Sequence, residues 1–189
     1  MEMFLEMLNR PADAFNRGDQ KLAWSLVGIS IAVVTVFDVL MRYLVNGNDY
    51  PVEINLLKLA LLAGLGVLTY LGICGILWGV CKLLGSQTGI EVYLRTWGLT
   101  YIPTIICGIT VVLVEVYFTL FWNNSIWGFM LNIVLVGILI WKTILYVVFL
   151  KEVAGLDGKK LAGAFVLCGI GILILAFINM IMGLKTPIL

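Results

Sequence analysis

Asp38, Arg42, Lys58 and Glu115 are the residues whose types and positions suit them to chemistry, because each falls inside or at the edge of a long apolar run. A charge at the centre of a membrane helix costs about 2.5 to 3.5 kcal/mol on insertion scales, so each needs a partner or a task. Asp38 and Arg42 are four residues apart, which brings their side chains together on one helix face. Asp38 and Glu115 each precede the end of their run by about seven residues, a shared depth of roughly 10 Å. Lys58 can snorkel into the same layer, either to pair with Glu115 or to leave it to Arg42, and Asn179 adds an amide near the end of the last run. Two acids and two bases neutralise one another as a structural clamp. The same group could instead line an aqueous pocket that binds a transported solute.

Other chemistry fits poorly. The chain has no histidine, the commonest general base and metal ligand. Cys74, Cys81, Cys107 and Cys168 lie inside apolar runs without zinc or redox spacing, and read as small buried side chains. Asp38 and Glu115 could form a carboxylate pair, but Arg42 beside Asp38 keeps it ionised and prevents the sharing of a proton. No enzyme activity and no cofactor is expected. Lys142 falls about eight residues before the far end of its run, away from Glu115; it reads as snorkelling toward headgroups, with a lipid phosphate as the sharper contact.

The elements that hold these residues are five apolar stretches, about 22–45, 56–84, 100–121, 126–150 and 161–184. Each can cross a hydrocarbon layer of about 30 Å at 1.5 Å per residue. With 189 residues, 62% of them hydrophobic, and a mean hydropathy of +1.09, the expected fold is an all-α membrane protein. It is a single five-span bundle with no room for a second domain. A net charge of +1 excludes the basic footprint of a nucleic-acid binder. Arg10, Arg17, Lys21, Lys82, Arg95, Lys151, Lys159 and Lys160 fall on one side, against Arg42, Lys58 and Lys185 on the other. Eight against three predicts a cytoplasmic amino terminus and a carboxyl terminus outside. The acidic stretch before Leu22 does not read as a cleaved leader, so the first span is expected to be its own insertion signal.

Ahead of span one, Met1, Phe4, Leu5 and Leu8 recur at helical spacing opposite Glu2, Glu6, Asn9 and Arg10, which predicts a short amphipathic interfacial helix ended or kinked by Pro11. In span two, Gly64, Gly72, Gly75 and Gly79 include a small-xxx-small spacing at the last two. Such a ridge lets another helix approach closely, inside the monomer first and in a dimer second. Residues 46–55 form a turn-rich connection. Residues 122–125 make a hairpin so tight that spans three and four must be antiparallel neighbours, and the Asn123-Asn124-Ser125 acceptor has little room for a glycan. After Gly85 and Gly89, the segment from Glu91 to Trp97 suits a second interfacial helix anchored by Tyr93 and Trp97, with a bend at Gly98 and Pro103 in the first turn of span three.

The order of Gly85, Tyr93, Arg95, Gly98 and Pro103 resembles the Yip (Ypt/Rab-interacting protein) family, with Leu99 where that family often has tyrosine. Arg10-Pro11-Ala12-Asp13-Ala14-Phe15 is similar to the start of its prokaryotic members, and the stretch from Gly155 to Ala162 to their last cytoplasmic turn. The resemblance covers nearly the whole chain. It implies five spans, a cytoplasmic amino terminus and, in eukaryotic members, vesicle trafficking with contact to prenylated small GTPases. The Asp-Leu-Tyr-Gly-Pro motif and the long amino-terminal extension of those members are missing, so the GTPase contact does not carry over. The expected function is a non-enzymatic protein of the prokaryotic cytoplasmic membrane. It would scaffold other integral membrane proteins or its own copies, or organise the bilayer through lipid contacts. The alternative is a small transporter, channel or accessory subunit that uses the polar cluster.

Overall fold

In the computed structural model, which describes residues 2–46 and 55–184, every regular element is helical. The chain opens with α1 (Glu2–Asn9) and α2 (Pro11–Arg17). Span one follows as α3 (Gln20–Ala32), a single π turn (Val33–Phe37) and α4 (Asp38–Asn46). Span two is α5 (Leu56–Leu83). Span three is composite: α6 (Ile90–Thr96), a 3₁₀ turn (Trp97–Thr100) and α7 (Tyr101–Val116). After a break at Tyr117 come the short α8 (Phe118–Trp122), then α9 (Ser125–Glu152) and α10 (Gly158–Ile181) as spans four and five. These five spans are long and apolar enough to cross a membrane, the shape that satisfies every backbone polar group without water.

Contacts fix the order of packing. Gly72 lies against Leu175, Ile76 against Gly171 and Thr69 against Asn179, so α5 and α10 run antiparallel in the most extensive helix contact of the bundle. Span one runs parallel to span three, Ala23 meeting Gly98 at one end and Arg42 meeting Glu115 at the other. Gly98 makes the first of these contacts possible, since a Cβ there would sit 2.5 Å from the Ala23 carbonyl oxygen.

Three expectations change here. The third span is not 100–121 but Ile90–Val116, because residues 90–99 enter the bundle. Tyr93 and Trp97 are therefore not interfacial anchors: both are buried, their rings edge-on to Phe149 at 5.5 and 4.8 Å. The amino-terminal helix forms, but it and α2 fold back on the bundle, burying Met7 and Phe15 while Leu8 stays exposed. Phe15 packs edge-on against Phe149, and Arg17 ties α2 to Glu6 of α1 at 2.9 Å.

The turns at this end are hydrogen-bonded stops. Ser86 N–H donates to Cys81 O and Gly85 N–H to Lys82 O, a Schellman close with Gly85 at φ +102°. Thr88 Oγ1 donates to the Val153 carbonyl at 2.8 Å, tying this turn to the end of α9. At the opposite end Asn124 caps α9, accepting from the N–H groups of Ile126 and Trp127. The 46–55 connection and Lys185 lie largely or wholly outside the described residues.

Candidate functional site: a polar clamp and an intramembrane cavity

The Asp38, Arg42 and Glu115 side chains meet where span one crosses span three. Arg42 Nε donates to Asp38 Oδ1 at 3.0 Å and its terminal nitrogen pairs with Glu115, so one guanidinium holds two carboxylates on different spans. The π turn just ahead of Asp38 inserts an extra residue into the helical register and so resets the face that α4 turns to α7. Asp38 is buried there. Lys58 is exposed near the start of α5, and its N–H is taken by the Asn55 cap; among the described residues it joins neither ion pair. Glu115 shares Arg42, as one of the two sequence alternatives has it.

Asn179 sits elsewhere. It is 1% exposed, and its Oδ1 accepts from Thr69 Oγ1 at 3.0 Å while its Nδ2 has no acceptor among the described residues. It lines a cavity of about 260 Å³ between spans one, two, three, four and five, none of whose wall residues belongs to the Asp38–Arg42–Glu115 group.

Lys142 lines the same cavity, which corrects the expectation that it snorkels out. Its Nζ donates to Thr104 Oγ1 at 2.7 Å, to the Thr100 carbonyl at 2.9 Å and to Thr100 Oγ1 at 3.3 Å. It also lies 4.9 Å from the Tyr101 ring and 5.5 Å from that of Trp97, within cation–π range. All its acceptors are neutral, and among the described residues no carboxylate pairs with it. The sequence does hold a trace of the arrangement, Thr100 and Thr104 one turn apart around a proline, but which way Lys142 turns depends on rotation about the α9 axis.

The glycines of α5 divide by face. Gly66 and Gly72 meet Ile31 and Leu175 inside the monomer, whereas a Cβ at Gly64, Gly75 or Gly79 would find nothing within 4 Å. Gly85, Tyr93, Gly98 and Pro103 all serve the packed end of the bundle described above, and Arg95 lies exposed beside Gly18. The four cysteines are buried, Cys74 Sγ lying 3.8 Å from the Tyr93 carbonyl.

Neither the curated proteins nor the solved structures yield a match to this chain. The family comparison does: the Yip1 domain matches residues 5–180, from α1 to the last turn of α10 and including every packed glycine and turn described above. This five-span membrane protein belongs to the Yip1 domain family.

Proposed function

We propose that this protein is a non-enzymatic membrane scaffold that receives a transmembrane helix, from a second copy or from another integral membrane protein, on the outward face of α5. The observation that carries this reading is the open face itself. Gly64, Leu68, Leu71, Gly75 and Gly79 fall within an arc of about 80° on α5 at 3.6 residues per turn. The three glycines have free space where a Cβ would go, and the two leucines are exposed. In lipid the apolar effect does not drive helices together, so close backbone approach and dispersion must do so, and glycine permits both. The charge count supports an amino terminus in the cytoplasm, which would put the basic ends of spans two and four on that side.

Transport through the Asp38–Arg42–Glu115 group is less well supported, since Arg42 is engaged with both acids and the cavity bypasses them. The test is co-purification of two differently tagged copies, and of native companions, from mildly solubilised membranes. Gly75→Leu with Gly79→Leu should lower recovery of the associated species at least tenfold while the monomer keeps its melting temperature. Unchanged recovery would remove the proposal.

A further inference from the structure

We infer that the cavity is a binding site for an acidic amphiphile, with its carboxylate or phosphate against Lys142 and its hydrocarbon chain running along α10. The inference is independent of the helix docking proposed on α5. Three features carry it. The first is an unbalanced charge: among the described residues the Lys142 ammonium meets neutral oxygens and ring faces alone, which satisfy its hydrogens but leave its charge uncancelled.

The second is the kind of polar group left over. The cavity walls contain two buried N–H donors without an acceptor among the described residues, Trp97 Nε1 and Asn179 Nδ2, on side chains 3% and 1% exposed. A surplus of donors, one of them charged, calls for an occupant that brings acceptor oxygens and negative charge.

The third is shape and access. The remaining walls are mostly apolar, and on α10 they extend from Gly169 to Asn179, roughly 15 Å at 1.5 Å per residue. Lys142 lies one turn from Tyr146, whose ring packs against Phe165 at 5.0 Å, which puts the ammonium toward the Gly169 end. The head of the occupant therefore lies at one end and its chain points toward Asn179, where an ester or hydroxyl oxygen would meet the free amide. Leu173 in the wall is 55% exposed on the lipid side, giving a chain a lateral way in from the bilayer. A cavity lined this way is too apolar and too large to be explained as a niche for one bridging water.

Photoaffinity labelling of the full chain in phosphatidylcholine nanodiscs tests this. Three probes with the same diazirine-bearing chain are used: a fatty acid, a lysophosphatidic acid and a fatty alcohol. One or both acidic probes should label residues 169–179 saturably, at least tenfold more than the alcohol, and the better of the two identifies carboxylate or phosphate as the head. Lys142→Met should reduce that labelling at least tenfold. Ala176→Phe, which fills the cavity and leaves the ammonium in place, should do the same, each variant being checked for a monodisperse elution profile. If either fails to fold, the acid-to-alcohol ratio on the unaltered protein still decides. Equal labelling by acid and alcohol would overturn the inference. So would labelling that Lys142→Met leaves unchanged, or that spreads without saturation over lipid-facing residues of α9 such as Ile133 and Ile140.

Discussion

At the end of the bundle that carries the Gly85 and Gly155 turns, Tyr93, Trp97, Phe149 and Leu150 are buried almost completely; at the opposite end Leu56, Trp122 and Ile126 leave most of their surface outside. The first end is built like the interior of a water-soluble protein, with aromatic rings edge to face and two extra helices folded across it. At the second, one guanidinium joins two spans. Apolar side chains gain little by leaving lipid for protein, so burial at the first end rests on shape and dispersion. Gly85, Tyr93, Gly98 and Pro103 fall at that end, and they form a packing arrangement more than an exposed contact surface.

The comparison breaks most readily at Phe149, whose ring touches those of Phe15, Tyr93 and Trp97. Phe149→Ala should cost about 3 to 5 kcal/mol, because three elements lose a shared partner and cannot all collapse into the void. Ile133→Ala, on the exposed face of α9, should stay within about 0.5 kcal/mol. Thermal unfolding in one detergent, followed by retained folded protein, compares them directly. Similar midpoints for the two variants would mean that the packed end does not dominate stability.

Gly98 sharpens the same contrast with a single methyl group. Gly98→Ala drives a Cβ into the Ala23 backbone and should cost about 1 to 3 kcal/mol, as overpacking does. Gly28→Ala, in α3 with nothing within 4 Å, is the matched control and should be neutral or slightly stabilising through helix propensity. A Gly98→Ala protein that melts with the unaltered one would show that spans one and three do not approach as closely as described.

Much of this was legible in the residues, and the division is physical. Hydropathy along the chain is a one-dimensional property, so five spans and the approximate depth of each charge could be read from it. Depth alone matched Asp38 with Glu115, and spacing alone matched Asp38 with Arg42. Rotation about each helix axis was not legible. Tyr93 and Trp97 have the composition of interfacial anchors, and only the turn of α6 into the bundle makes them core. Lys142 and Asn179 were placed along their helices but not around them, so the cavity that both line could not be assembled from spacing alone. The π turn at Val33–Phe37 shifts the helical phase of everything after it in span one, which a fixed period of 3.6 residues does not anticipate.

The smallest effect belongs to the second end, and it needs a cycle to isolate it. Arg42 is partly exposed and Asp38 is buried, so the pair stands between a surface ion pair, worth under about 1 kcal/mol, and a buried one, whose disruption costs about 3 to 5 kcal/mol. Arg42→Met should therefore cost about 1 to 2 kcal/mol, mainly by leaving Asp38 charged without its guanidinium. Glu115→Gln should cost less, because its amide oxygen can still accept from Arg42 and its carboxylate is the more exposed of the two. Adding Asp38→Asn to Arg42→Met should restore part of the loss, since the charge left behind is then removed. If the two substitutions instead add to within about 0.3 to 0.5 kcal/mol in unfolding free energy, they do not interact, and the Asp38–Arg42 half of the clamp contributes nothing to stability.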